Sequence, residues 1–204
     1  MKNRLGRLLI FIGVAAIFSA GVLWIHNIIE ENKAADFSTR VAQALLVQIE
    51  QNPVDVAVAE DSIDQGYTER YACISLDGEE YIGVLKIPAL KLGLPVNAEW
   101  NYPKLKSSPC RFAGSIEGNN IVIVAHNYKR HFGKINTLKT GSEVVFVDIY
   151  GDKHYFSVAQ VGVVKPESTA EIVYGGYALT LVTCTYSGRT RCAVKCELAI
   201  VENR

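Results

Sequence analysis

The feature that most limits this chain is an apolar run without a single charge, from Leu8 to Ile25. At about 18 residues it reaches the lower length limit for a helix that crosses a bilayer. Lys2, Arg4 and Arg7 precede it, and Glu30 and Glu31 follow it. Trp24 falls where an aromatic residue suits the far interface. The positive-inside rule then predicts residues 1–7 in the cytoplasm, an anchor over 8–28 and everything else outside. Gly13, Ala15, Ala16, Ser19, Ala20 and Gly21 would also suit a cleaved signal peptide. No clear A-x-A site precedes Trp24, so an uncleaved single-pass anchor is expected. His26 sits at the membrane edge and is expected to have no chemical role.

The segment after the anchor, residues 29–78, divides in two. Lys33 to Gln51 places Phe37, Val41, Ala44, Leu45, Val47 and Ile49 among polar residues, which predicts an amphipathic juxtamembrane helix. Asn52-Pro53 should stop it. Pro53 to Gly78 is acidic, shows little period and is expected to be an extended connector. Its Asp55, Glu60, Asp61, Asp64 and Glu69 lack the spacing of a calcium-binding loop. A solvated linker is the expectation.

Charge excludes one class of partner. Lys plus Arg equals Asp plus Glu at 21 each, so there is no basic surplus to argue for nucleic acid. The 5 cysteines are odd in number and form no paired CxxC motif. Cys73, Cys110, Cys192 and Cys196 are expected to be small core residues. No metal and no cofactor is expected.

Residues 79–204 read as the folded domain. Short strands are expected over Tyr81–Ile87, Leu92–Val96, Ile121–Ala125, Glu143–Ile149 and His154–Val161, the last continuing through Val164. Gly151-Asp152 supplies a hairpin turn. Tyr102–Arg111 is expected to be a loop or short helix, Lys134–Leu138 a helical turn, and Pro166–Gly176 a loop with a short helix. This spacing of short strands predicts a mostly β barrel or sandwich.

The chemistry concentrates near the end. Ala178 to Thr183 is a buried-strand pattern closed by Cys184. Tyr186, Ser187 and Gly188 turn the chain. Arg191 opens a second strand, so a thiol ends one strand and a guanidinium begins its neighbour. Cys192, Val194, Cys196 and Leu198 share one face, and Arg191, Ala193 and Lys195 the other. A thiol also needs a proton acceptor. His126, directly after the apolar run Ile121–Ala125, offers one from a comparable strand end.

These stretches resemble the sortase family. Thr180–Cys184, TLVTC, with the arginine at the next strand is similar to the sortase signature TLxTC…R. Ala125-His126-Asn127, followed by His131, Phe132 and Gly133, resembles the family's histidine segment. Ile82 to Val96 resembles its opening strands. The resemblance covers roughly Glu79 to the C-terminus and implies an eight-stranded β-barrel with short helices. The short connection from Val164 to Ala178 departs from class B. The lack of an Asp-Pro-aromatic lid motif and of a C-terminal apolar anchor departs from class C. The pattern is closer to class A or class D.

The resemblance implies a cysteine transpeptidase of the Gram-positive envelope. Cys184 would attack the threonine carbonyl of an LPxTG-like sorting signal, His126 would shuttle the proton, and Arg191 would hold substrate and oxyanion. Thr183 would bind substrate. The implied partners are secreted proteins with a C-terminal sorting signal and an amine acceptor, either a peptidoglycan precursor or a pilin subunit. Rivals remain at each position: His131, which could line the groove; His154, expected on the surface; and Arg189, expected in the turn. A non-catalytic extracellular domain that binds a peptide along its groove is the alternative function.

Overall fold

The computed structural model describes residues 2–51, 57–63 and 67–199. A single helix, α1 (Lys2–Gln51), replaces the two helices expected from the sequence. Nothing between Ile25 and Lys33 breaks it, since Asn27, Glu30, Glu31 and Asn32 neither remove a backbone donor nor demand a left-handed turn. At 1.5 Å per residue it is about 75 Å long. Its N-terminal part exposes Leu8, Ile10, Phe11, Ile17, Phe18, Leu23 and Trp24. It is long and apolar enough to cross a membrane. The C-terminal part behaves differently. Val41, Ala42, Leu45 and Ile49 recur at spacings of one, three and four and are buried against Ile74, Tyr81, Val84 and Ile149.

The expected connector is a hairpin in part. β1 (Ala57–Ile63) pairs with β2 (Tyr67–Leu76), and β2 pairs with β3 (Glu79–Ile87) across the Asp77-Gly78 turn. Glu69 and Arg70 inside β2 hid its strand character, because pairing partners and not side-chain pattern make it a strand. Pro53 and the acidic residues Asp55 and Asp64 lie outside the described residues.

Eight strands then close on themselves. β4 (Leu92–Asn97), β5 (Cys110–Ala113), β6 (Ile121–Val124), β7 (Glu143–Asp148), β8 (Lys153–Val164), β9 (Leu179–Cys184) and β10 (Arg191–Leu198) join β3 in the circular order β3-β4-β5-β6-β9-β10-β8-β7. The pairing of β3 with β7 closes the barrel. Closure depends on Gly83. Its φ of +148° accompanies a register shift in β3, and a Cβ there would meet the Val147 carbonyl oxygen at 2.2 Å. β5 was not expected from sequence; only 4 residues long, it has too few side chains to show a period. Short helices α2 (Tyr102–Leu105) and α3 (Thr169–Val173) lie in the loops.

The barrel interior holds Leu85, Ile87, Ile121, Ile123, Phe146, Phe156, Leu179, Leu181, Val194 and Cys196. Alternate residues of β6 and β9 point outward. Val122 and Val182 pack with Ile172 of α3, so part of the barrel's outer face is covered as well. That covered outer face carries the site.

Candidate active site

Three adjacent strands bring the predicted residues together. β9 and β10 are antiparallel, with Cys184 directly opposite Arg191. Directly opposed residues project to the same face. β6 runs parallel to β9 with Val124 opposite Val182. The pairing continues past the strand end, where the Ala125 amide donates to the Val182 carbonyl at 3.1 Å. Continuing that register two residues brings His126 level with Cys184. The thiol therefore stands between the imidazole and the guanidinium, with neighbouring strands about 4.8 Å apart.

His126, Cys184 and Arg191 line one cleft of about 290 Å³. Its floor is Val124, Ala125, Val182 and Thr183, and its walls come from elements far away in sequence. One wall is aromatic. Trp100 lies 5.9 Å from Tyr102 and 5.5 Å from Phe112, measured between ring centroids. The other wall is Pro166, Thr169 and Ile172 on and before α3. Lys195 of β10 pairs with Glu171 at 3.0 Å and holds α3 against the sheet. Nothing in the local pattern marks Trp100, Tyr102, Phe112 or Ile172 as cleft residues, because it is the barrel's closure that brings them beside His126 and Cys184.

Electrostatics separate the candidates. Cys184 is half-buried, whereas Cys73, Cys110, Cys192 and Cys196 are buried. Burial pushes the Cys110 and Cys196 thiols up to about 12 and raises that of Cys192. Those thiols stay protonated and unreactive at neutral pH. Burial, and after it the positive charge of Lys106, hold the His126 imidazole below its ordinary value. Both effects favour the neutral imidazole, the form that can accept a proton. Arg191 spends Nη1 on the carbonyls of Gly188 at 3.1 Å and Thr190 at 3.2 Å. Among the described residues its Nε and Nη2 have no partner, so donors remain for a ligand.

The rival residues separate cleanly. His131 does not line the cleft: it is fully buried, and its Nε2 lies 3.0 Å from Ser38 Oγ of α1. The charged loop before it had suggested exposure, but helix α1 packs over it. His154 is half-buried and bonded to Asp148 at 2.7 Å, not a free surface residue. Arg189 is exposed in the turn. Thr183 has its hydroxyl committed, donating to the Ala125 carbonyl at 2.8 Å. That bond ties β9 to Ala125, the residue between the end of β6 and His126.

The loop after His126 is tightly folded. The Phe132 amide donates to the His126 carbonyl at 3.2 Å, and the amides of His131 and Gly133 both donate to Tyr128 at 2.9 and 2.8 Å. Gly133 is required by close approach, since a Cβ would stand 2.4 Å from the Asn127 carbonyl oxygen.

Solved structures with this architecture are sortases of several classes. A sortase D5 transpeptidase from Clostridium perfringens is 21% identical, with a TM-score of 0.51 over 59% of this chain and 79% of the other. Sortase C1 from Streptococcus agalactiae is 21% identical, with a TM-score of 0.53 over 63% and 72%. A lid mutant of sortase A from Corynebacterium diphtheriae is 16% identical, with a TM-score of 0.54 over 81% and 97%. No curated protein matches the chain. The family model described as Sortase domain matches residues 85–199, more than half of the sequence. The chain belongs to the sortase family.

Proposed function

We propose that this protein is a membrane-anchored cysteine transpeptidase that cleaves an LPxTG-like sorting signal after threonine and transfers the released chain to an amine. The observation that carries the reading is the row His126–Cys184–Arg191 on three neighbouring strands, opening into one cleft. His126 accepts the thiol proton as Cys184 Sγ attacks the threonine carbonyl carbon. The oxyanion forms against the Arg191 guanidinium, through charge-assisted hydrogen bonds. The C–N bond then breaks, and the imidazolium returns its proton to the departing amine. A thioester remains on Cys184. An incoming amine gives a proton to His126, attacks the thioester and expels the thiolate. Thr183 serves through its backbone and as a latch, given its bonded hydroxyl.

The substrates are secreted proteins bearing a C-terminal sorting signal, and the acceptor is a peptidoglycan precursor or pilin amine of a Gram-positive envelope. Helix α1 supports a membrane setting, with residues 1–7 cytoplasmic, 8–28 in the bilayer and the domain from 79 outside. Glu31, whose carboxylate accepts the Lys129 amide proton, lies three residues past that span, or about 5 Å along a helix. The loop bearing His126 would thus sit near the outer membrane surface, within reach of membrane-held substrates.

The test is mass spectrometry of the full-length chain in detergent micelles, with peptides containing LPxTG-like motifs and with glycine or lysine amines. A new bond between the threonine carbonyl and the amine is expected, and none with Cys184→Ala. Equal product from wild type and Cys184→Ala would overturn the reading. Cleavage without joining would make the enzyme a thiol protease.

A further inference from the structure

The C-terminal half of α1 reaches the loops on both sides of His126. Ser38, fully buried, donates its hydroxyl proton to the Ser107 carbonyl at 2.5 Å. A serine hydroxyl has one proton, so toward His131 the same oxygen acts as acceptor. The 3.0 Å contact is then an Nε2–H of His131 donating to Ser38, which fixes the tautomer of that ring. Ser107 adjoins Lys106, the charge that acts on His126. His131 in turn lies 5.7 Å from the Tyr128 ring, and the Tyr128 ring lies 5.0 Å from that of His126, tilted by 32°. One aromatic ring therefore stands between a histidine gripped by the helix and a histidine at the cleft. Two more ties run from the helix surface. Glu31 accepts from the Lys129 amide, and Asp36 meets Arg130 at 3.6 Å.

We infer that the juxtamembrane half of α1 is a working part of the active site, with Ser38 and His131 as positioning residues that set the His126 imidazole through Tyr128. This inference rests on the reading of His126 and Cys184 as the reacting pair. The physical reason is geometric. His126 lies beyond the end of β6, so the sheet fixes its backbone on one side only. The loop that follows has no strand to hold it. Its rigidity comes from its own turn bonds and from the helix. A displacement of about 1 Å in a proton-transfer group is enough to cost about 10²-fold in rate.

The experiment uses the full-length chain in detergent micelles and needs no knowledge of the natural substrate. Iodoacetamide alkylation of Cys184 is followed against pH in wild type, His126→Ala, Ser38→Ala, His131→Ala and His131→Gln, and in the surface double variant Glu31→Ala with Asp36→Asn. An LPxTG peptide gives kcat and KM in parallel. His126→Ala should flatten the acid limb of the alkylation profile. If it does not, the pairing of His126 with Cys184 is wrong and the inference falls with it. If it does, Ser38→Ala and His131→Ala should each move the profile toward that of His126→Ala and lower kcat about tenfold with little change in KM. His131→Gln keeps a donor for Ser38 and should recover most of the loss. The double variant changes the half-buried Glu31 and the exposed Asp36, neither of them a core residue, yet should move the profile the same way by a smaller amount. Wild-type profiles in both Ser38→Ala and the double variant, beside a flattened one in His126→Ala, would overturn the inference. So would equal losses in His131→Gln and His131→Ala, which mark a merely structural role.

Discussion

Acid should destabilise this protein through one buried imidazole. Burial is the largest cause that pushes His131 down from 6.5 to about 4; a backbone bond to Ala34 opposes it and the charge of His126 adds to it. The unfolded chain binds a proton near pH 6.5 that the native chain refuses until about pH 4. Within that window the unfolded state holds more protons, so stability rises with pH. The contribution is complete above pH 6.5 and is lost as pH falls toward 4. At 1.36 kcal/mol per unit, the shift amounts to roughly 3 kcal/mol. That is a large share of the total stability of a domain. The measurement is urea unfolding of the full-length chain in detergent micelles between pH 4.5 and 7.5, followed by near-UV circular dichroism. His131→Gln does not titrate and removes this contribution. The wild-type curve should fall more steeply than the variant's below pH 6.5, the gap widening toward roughly 2–3 kcal/mol at the acid end. Parallel curves would refute the assignment of a buried neutral imidazole and the packing of α1 over it.

Other consequences follow from the same geometry. Brief iodoacetamide treatment of the folded protein should label a single thiol, and mass spectrometry should find it on Cys184, because the other four are buried; in Cys184→Ala labelling should be near zero. The acid limb of kcat/KM should fall at a pH below the ordinary histidine value, since burial and Lys106 both hold His126 down. Lys106→Gln should move that limb upward, a shift read directly from the pH–rate profile. Gly133→Ala forces a methyl against the Asn127 and Tyr128 carbonyl oxygens at 2.4 and 2.7 Å. It should lower activity about 10²-fold while costing on the order of 1–3 kcal/mol in chemical denaturation.

Several things were decided by the order of residues alone. A charge-free run of helix-forming apolar residues can only bury its backbone polarity in a helix, so α1 was legible from Leu8 onward. The strand ends at Cys184 and Arg191 were legible too. Alternation stops at a cysteine, turn residues intervene, and alternation resumes at an arginine. A short hairpin then leaves one register in which the two face each other. His126 at the close of IVIVA was visible for the same reason. What neighbours what across the barrel was not. That β6 lies beside β9, and so puts His126 level with Cys184, depends on a parallel pairing between strands 58 residues apart. Local propensity has no access to such a pairing. The folding of His131 beneath α1 and the gathering of Trp100, Phe112 and Ile172 into cleft walls belong to the same class. Those positions are fixed when the sheet closes at Gly83 and the helix covers it, because burial is a property of the whole packed surface and not of any one segment.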